Sequence, residues 1–357
     1  MVYSASFYSA NYHYGNPYFF LFKQILGVVL GIFAMIFFSF VDYHLLKKYK
    51  TWIIVISIIL LVLVFVPGLG MESYGAKRWI SILGFSIQPS EIAKFALVIF
   101  IAGYMSDNHD KVKTFKGLLP VLCVAGVICV LTMLEPSMSV TMCIGFVTLF
   151  MLIIGGMSKK HTLMFSIPAA AVVPLLVVLE PYRLRRLMAF IDPWASPQGE
   201  GFQLIQSLYS LGSGGLFGVG LFNSRQKYLF LPFAESDFIL SIIGEEIGFV
   251  GLIVLMSVFL ALIYSLIKIA LNAKDRFGAM LVAGVAFIIG VQTLLNIAVV
   301  TGSIPPTGLP LPFISSGGTS VTVFMAGIGI CLNVLRQSQG QDYKVIKAPR
   351  FKKTAKN

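Results

Sequence analysis

The feature that most constrains the fold is a series of nine apolar stretches, each 16 to 35 residues long. A helix of about 20 apolar residues crosses a hydrocarbon core of ~30 Å. Only 12% of the residues are charged, about half of the ~25% typical of a soluble domain. The pattern predicts one all-α transmembrane domain over residues 1–357, a polytopic bundle of nine spans at residues 20–41, 52–70, 91–106, 117–134, 139–157, 162–179, 238–272, 277–301 and 319–335.

The distribution of Lys and Arg predicts the orientation of this bundle. Eighteen of the 27 basic residues fall in loops on one side, at Arg336 after the last span, or in the basic tail at 337–357. Cytoplasmic loops carry such an excess, which predicts a C-terminus in the cytoplasm and, with nine spans, an outer N-terminus. A net charge of +12 arranged in this way indicates membrane topology and not nucleic-acid binding.

Nine basic residues fall on the predicted outer side, where the charge rule does not explain them. Five of them lie in residues 180–236, a loop far longer than the usual connections between helices. Its aromatic and apolar content predicts a folded extracellular element in the membrane interface. The nine are Lys23, Lys77, Arg78, Lys94, Arg183, Arg185, Arg186, Arg225 and Lys227.

Three of these arginines form a tight group in "PYRLRRLMAFIDPW" (181–194). Guanidinium groups at Arg183, Arg185 and Arg186 suit a phosphate or pyrophosphate headgroup, because they bind oxyanions in a bidentate manner. Contact with ordinary lipid phosphates is the alternative. Arg225 and Lys227 bracket the same loop and favour an anion site on that face.

The carboxylate of Asp237 directly precedes the apolar run at 238–272, in "LPFAESDFILSIIGEEIGF" (231–249). The helix dipole favours an ionised Asp237 there, so this residue is either a cap or a general base. Glu245 and Glu246 lie eight and nine residues further on. They cannot both share the helix face of Asp237, so at least one must point at another helix, either as a functional group within the membrane or in a buried pair that braces the bundle.

Two further stretches predict structure at the outer ends of helices. Glu91 and Lys94 are one helical turn apart and can pair, either to support the helix or to line the same cavity. Ser90 is a candidate helix cap. The prolines and glycines of "TGLPLPFISSGGTS" (307–320) predict re-entrant backbone, in which Ser315 and Ser316 offer donors to an anion.

Several other classes of site find no support in the sequence. The four cysteines lie in apolar runs, which argues against disulfides, and the four histidines have no spacing of metal ligands.

Taken together, these motifs resemble the SEDS family of membrane proteins, which includes FtsW, RodA and SpoVE. The matching stretches run through almost the whole chain in family order. They are "MVYSAS", "GAKRWI", "QPSEIAK", "YRLRRLMAFIDPW", "GEGFQLIQSLYSLGSGGLFGVGL", "SRQKYLFLP", "SDFILSIIGEEIGFVG" and "TGLPLPFISSGG". The last motif and "SRQK" are most similar to the FtsW/SpoVE branch.

The resemblance implies a peptidoglycan glycosyltransferase that polymerises lipid II at the outer face of the cytoplasmic membrane. Asp237 matches the essential carboxylate, which would deprotonate the 4-hydroxyl of the acceptor sugar. Arg183, Arg185 or Arg186 would steady the undecaprenyl pyrophosphate leaving group. Glu91 and Lys94 match the "PSE..K" motif of the family.

The resemblance also implies partners and leaves the cofactor open. The expected partners are a class B penicillin-binding protein, which is a transpeptidase, and other membrane proteins of cell division or sporulation. A divalent cation such as Mg or Mn is compatible with this activity, and the sequence does not decide whether it is needed.

Three departures from the family pattern bear on these expectations. The family has ten spans, and the first is expected to be missing here. The stretch "EPSMSV" (135–140) lacks an acidic residue that the family carries, although Glu135 stands just ahead of that position. The residues before Asp237 read "ES", and Glu235 is a candidate to compensate.

Two other functions fit parts of the pattern. Broken helices and charges within the membrane also suit a flippase that moves lipid II across the bilayer. A non-catalytic scaffold for the division machinery is the third alternative. The polar groups crowd towards the predicted outer face, which favours chemistry on that side.

Overall fold

The computed structural model describes residues 1–73, 76–82, 85–178 and 180–340, so most of the predicted basic tail lies outside the described residues. The described chain is nearly all-helical. Its helices are α1 (Val2–Tyr14), α2 (Phe19–Phe40), α3 (His44–Leu63), α4 (Pro89–Asp107), α5 (Phe115–Leu134), α6 (Met138–Ile154), α7 (Lys159–Val178), α8 (Pro181–Ile191), α9 (Phe202–Gly214), α10 (Ile239–Leu271), α11 (Arg276–Val300) and α12 (Gly318–Ser338).

Every predicted span corresponds to a helix, and six helices in the described chain are long and apolar enough to cross a membrane. The chain is therefore a polytopic membrane helical bundle, and the count of nine spans stays a prediction. Both bounds of one span were wrong: α3 runs from His44 to Leu63 and not from residue 52 to residue 70. Its polar first turns are helical because Lys47 and Lys50 pair with Asp107 at the end of α4.

The bundle is built around α4, in which 83% of the most apolar stretch is buried, against 11% in α10. Glycines allow α2 and α12 to pack closely against each other. A Cβ atom at Gly27 would lie 2.6 Å from Gly318 Cα, and one at Gly329 would lie 2.3 Å from the Met35 carbonyl oxygen. Small residues commonly permit such backbone contact between membrane helices, where dispersion forces drive association.

The apolar run at 238–272 is not the continuous tilted helix that its length predicts. It breaks at Gly248, whose φ of 69° is outside the helical range. The residues from Gly215 to Gly220 fill the break. Phe249 and Val250 donate backbone hydrogen bonds to Gly215 and Leu216, and Val219 and Gly220 donate to the carbonyls of Glu245 and Glu246.

A small antiparallel sheet precedes α4, which the sequence analysis did not predict. It comprises β1 (Gly70–Ser73), β2 (Ala76–Ile82) and β3 (Phe85–Ile87), with β2 in the centre. Alternation along β2 turns Arg78 and buried Ile80 towards the bundle, whereas Lys77 is exposed. The sheet therefore decides which of the two adjacent cations reaches the interior.

Candidate active site

Asp237 lies in the turn before α10 and does not cap that helix. The N-cap residue is Phe238, and no side chain caps the helix. The Asp237 carbonyl accepts a hydrogen bond of 2.8 Å from Asn296 Nδ2. No described residue donates a hydrogen bond to its carboxylate, which is only half-buried. The cap alternative is therefore excluded, and the carboxylate is open to a ligand.

The connection between α11 and α12, residues 301–317, forms one wall beside Asp237. A Cβ atom at Gly308 would lie 3.2 Å from Asp237 Oδ2, so the carboxylate packs against backbone that carries no side chain. The predicted re-entrant stretch is non-helical here, and Gly308 has a φ of +71°. Glycine suits this position because a side chain would meet both the carboxylate and an unfavourable backbone angle.

Buried side chains of α11 hold this wall. Asn296 Nδ2 also donates to the Leu309 carbonyl at 2.8 Å, and Gln292 Nε2 donates to the Pro310 carbonyl at 2.9 Å. One Asn side chain therefore joins the Asp237 turn to the wall. Re-entrant backbone within a membrane protein needs such internal partners, because lipid supplies none.

The two serines predicted to bind an anion make hydrogen bonds with neighbouring backbone. The Ser315 hydroxyl accepts from Leu311 N at 2.8 Å and donates to the Ser236 carbonyl at 2.6 Å. The Ser316 amide donates to the Glu235 carbonyl at 2.8 Å. Both residues lie next to the Asp237 turn. The Ser315 hydroxyl and the Ser316 amide are committed to internal hydrogen bonds, whereas anion binding by the Ser316 hydroxyl stays a prediction.

Two arginines approach Asp237 from different elements. Arg78 of β2 donates from Nε to the Glu135 carbonyl at 3.1 Å and from Nη2 to the Pro136 carbonyl at 2.6 Å. Arg186 of α8 lies with Nη1 3.5 Å from the Pro306 carbonyl oxygen. Ser139 at the start of α6 donates to the carbonyl of Thr307 in the same wall. Side chains of α6 and α8 therefore meet residues 306 and 307, and Arg78 of the sheet reaches the turn just before α6.

Burial raises the pKa of Asp237 to about 6. The positive charge of Arg78 opposes this shift, Glu235 adds to it, and Arg186 opposes it. Burial also raises the pKa of Glu235. A carboxylate with a pKa near 6 is largely ionised at neutral pH and is a stronger base than an ordinary aspartate.

The other cations predicted in this region differ in their placement. Arg185, Arg225 and Lys77 are exposed, and Arg183 lies with Nη2 3.3 Å from Met133 Sδ. Arg186 also faces Glu200 at 3.9 Å, with both side chains about one-third exposed. Such a pair in water contributes little to stability. The arginine group of α8 is therefore accessible.

Lys227 is enclosed, in contrast to its exposed neighbour Arg225. Its side chain is 0% exposed, and Nζ lies 3.2 Å from Glu246 Oε1. Ser4 of α1 donates to the same carboxylate oxygen at 2.5 Å. The structure thus corrects the expectation of direct anion binding by Lys227. Its charge pairs with Glu246 in a buried contact between α1, the long loop and α10.

Glu245 and Glu246 brace the fold, as one of the sequence-based expectations states. Glu245 accepts hydrogen bonds from Ser224 Oγ at 2.5 Å, Ser210 Oγ at 3.2 Å and the Arg225 amide at 2.9 Å. Glu246 pairs with Lys227. Both glutamates therefore fix the loop that fills the break in α10.

The predicted pair of Glu91 and Lys94 is present and fully buried. Lys94 Nζ lies 2.7 Å from Glu91 Oε1 and 2.7 Å from Gln292 Oε1, and both charged side chains are 0% exposed. Since Gln292 holds the Pro310 carbonyl, the pair supports the wall beside Asp237. This placement favours the supporting alternative, and contact with substrate stays a prediction. Ser90 does not cap α4, whose N-cap residue is Gln88.

Residues with a clear place near the site were missed by the sequence analysis. Asn296 and Gln292 sit within an apolar run, where buried amides signal a polar partner, but that partner was not evident. Glu135 was noted only as standing ahead of a family motif. It is buried, and neither carboxylate oxygen has a hydrogen-bond partner among the described residues.

No group of three or more His, Cys, Asp or Glu side chains in the described chain is placed to hold a metal ion. The use of a divalent cation therefore stays a prediction.

The chain is similar to known proteins over most of its length. A probable peptidoglycan glycosyltransferase FtsW from Geobacter sp. (strain M18) is 40% identical over 95% of this chain and 93% of its own length. Stage V sporulation protein E from Bacillus subtilis (strain 168) is 38% identical, with the same coverage of both chains.

Solved structures share the fold. A chain from work on the structural coordination of polymerization and crosslinking by a peptidoglycan synthase complex has a TM-score of 0.77 and 27% identity, covering 94% of this chain and 95% of that one. Thermus thermophilus rod shape determining protein RodA has a TM-score of 0.67 at 24% identity, covering 94% of each chain. The family model for FtsW, RodA and SpoVE, described as a cell cycle protein, matches residues 1–340, and the chain therefore belongs to this family.

Proposed function

We propose that this chain is a peptidoglycan glycosyltransferase that polymerises lipid II at the outer face of the cytoplasmic membrane. The observation that carries the proposal is the carboxylate of Asp237, which is only half-buried, has its pKa raised to about 6 by burial and is acted on by the charges of Arg78 and Arg186. Two relatives of nearly the same length are a probable peptidoglycan glycosyltransferase and a sporulation protein.

The geometry suggests a role for each charged group. Asp237 takes the proton from the acceptor hydroxyl as the oxygen attacks the anomeric carbon of the donor. The bond between that carbon and the pyrophosphate oxygen breaks, and its electron pair leaves with the pyrophosphate. Arg186 and Arg78, with the accessible Arg183 and Arg185 of α8, offset the added negative charge on the leaving group.

A partner transpeptidase is part of the proposal. The similar chain in a peptidoglycan synthase complex belongs to an assembly that couples polymerization to crosslinking. We infer that this chain works with a class B penicillin-binding protein and with other membrane proteins of division or sporulation.

The test supplies purified protein with lipid II, with and without a class B transpeptidase, and measures glycan polymer. Parent protein should form polymer, and Asp237→Asn should reduce the rate at least about 100-fold, because general-base catalysis contributes on that order. Asp110→Asn is the matched control, since Asp110 is 89% exposed and distant in sequence from every site element. Polymer from Asp237→Asn at the parent rate would refute the assignment.

The flippase alternative is decided in the same preparation. Parent protein that forms no polymer but carries lipid II across vesicles would establish transport instead. Absence of both activities would favour the scaffold.

A further inference from the structure

Glu135 is a buried acid for which the proposed reaction has no stated use. It follows the last residue of α5 and is 1% exposed. Arg78 binds the backbone carbonyl of this residue, while both oxygens of the Glu135 carboxyl lack hydrogen-bond partners among the described residues. The Arg78 guanidinium thus contacts the backbone of Glu135 but forms no ion pair with the Glu135 carboxyl group.

Physical chemistry favours the neutral form of this side chain. A buried carboxylate without hydrogen bonds costs several kcal/mol, and the negative end of the α5 dipole adds to that cost. Burial raises the pKa of Glu135 to about 8, although the charge of Arg78 opposes the shift. At neutral pH the acid is therefore mostly protonated.

The other charged and titratable groups around this pair come from two places, the turn before α10 and α8. Asp237 faces Arg78 from the turn before α10, and Tyr182 and Arg186 face it from α8. Arg183 of α8 contacts Met133 in the last turn of α5. Among the described residues, Arg78 is the one charged group that acts on both Glu135 and Asp237.

We propose that Glu135 is a positioning residue: as a neutral acid it leaves the charge of Arg78 available to the anionic donor at Asp237. When Glu135 loses its proton, its new charge competes for the guanidinium that already lies on its own carbonyl. Binding of a pyrophosphate-bearing donor then weakens. The identity of the ligand, lipid II, rests on the proposed function, whereas the protonation state of Glu135 does not.

The experiment measures lipid II binding from pH 6.5 to 9.5 in an Asp237→Asn background, where the ligand is not consumed. If only the form with neutral Glu135 binds, the apparent Kd should rise about tenfold between pH 7 and pH 9, given a pKa of about 8. Adding Glu135→Gln, which keeps the shape and cannot ionise, should abolish this rise. Glu180→Gln makes the same chemical change at an exposed position and should retain it.

Two outcomes would overturn the inference. One is a pH dependence that persists unchanged when Glu135→Gln is added. The other is a Kd that stays level across this range in the protein with Asp237→Asn alone. A purely structural role would weaken binding at every pH in Glu135→Gln without altering its pH dependence, which also contradicts the proposal.

A second measurement separates this inference from the proposed function. Infrared spectra at pH 6.5 should contain a protonated carboxyl band that disappears by pH 9.5 and is missing in Glu135→Gln. If lipid II binds at no pH, the proposed substrate is wrong, and the infrared band still decides whether Glu135 is neutral. Absence of that band in the parent would refute the neutral acid.

Discussion

At the scale of single residues, the difference between a supporting and a reacting carboxylate lies in its partners. Glu245 accepts three hydrogen bonds of 3.2 Å or less, and Glu91 pairs with Lys94. Asp237 has no donor to its carboxylate among the described residues and is half-buried. Its basicity is therefore available to a substrate hydroxyl.

The raised pKa of Asp237 predicts the pH dependence of polymerisation. The base acts only when ionised, so with a pKa of about 6 the rate should fall about tenfold per pH unit well below pH 6. The measurement is the initial rate of polymer formation from pH 4.5 to 7.5 at lipid II concentrations well below KM, where the rate reports the pKa of the free enzyme. A rate that stays constant down to pH 4.5 would contradict the role of Asp237 as the base.

The raised pKa of Asp237 affects folding stability in the opposite direction: the rate rises with pH, whereas the contribution to stability falls. Because the pKa of Asp237 is raised from its ordinary value of 3.8, its contribution to folding falls as the pH rises from about 3.8 through about 6. Asp237→Asn should therefore melt at a higher temperature than the parent at pH 7 while losing activity. Such a trade is typical of active sites. A lower melting temperature would mean that the ionised carboxylate supports the fold.

The pair of Glu91 and Lys94 predicts a large loss of stability when one partner is removed. Glu91→Gln leaves a fully buried ammonium without its counter-charge, which should cost about 3–5 kcal/mol. Thermal unfolding in detergent measures this change, and Glu91→Gln with Lys94→Met should recover part of it.

A matched control exists in the same chain. Asp110 and Lys113 have the same spacing, but their side chains are 89% and 58% exposed. Asp110→Asn should therefore change stability by less than about 1 kcal/mol. Equal losses at the buried and exposed pairs would contradict the argument.

Sequence reasoning was effective for residues whose partner is close in the chain. The spacing of Glu91 and Lys94 is enough to predict their contact, because a helix brings residues three apart together. The partners of Lys227 and Ser315 come from Glu246 and Ser236. Those contacts depend on how the loops return to the bundle, which local pattern does not encode.

At the scale of elements, the break in α10 shows how a loop is built into a membrane helix. The backbone groups freed at Gly248 find partners in residues 215–220, so four exchanged hydrogen bonds replace those of a continuous helix. The sequence displays the glycines of this loop but not their partner. Length alone predicted an unbroken helix, because each half of α10 is apolar.

Gly248→Ala tests this element. A Cβ atom there would lie 2.3 Å from Gly218 N and 2.6 Å from Leu216 O, and the φ of +69° is unfavourable for alanine. Both effects should cost at least about 3 kcal/mol, measured as a lower melting temperature. In Gly145→Ala, the control in α6, the new methyl meets no atom within 4 Å. It should be neutral or stabilise by up to about 1 kcal/mol.

At the scale of the whole molecule, hydropathy predicted the helices, whereas the geometry of the site depends on connections between them. Residues 306–308 touch side chains from the turn before α10, from the start of α6 and from α8. Arg78 reaches the end of α5 from a sheet that hydropathy does not reveal. The resemblance to the family identified Asp237, and folding shows how its neighbours set its charge.

The orientation of the bundle is the remaining prediction at this scale, and it decides on which side of the membrane the proposed reaction runs. Single cysteines are placed in a chain whose four native cysteines are replaced. Gln198→Cys, in the exposed loop between α8 and α9, should react with an impermeant maleimide in intact cells. Asp110→Cys, between α4 and α5, should react only after permeabilisation, because the Lys residues around it predict a cytoplasmic loop. Reversed labelling would place Asp237 on the cytoplasmic side, and with that the proposal of polymerisation at the outer face would fail.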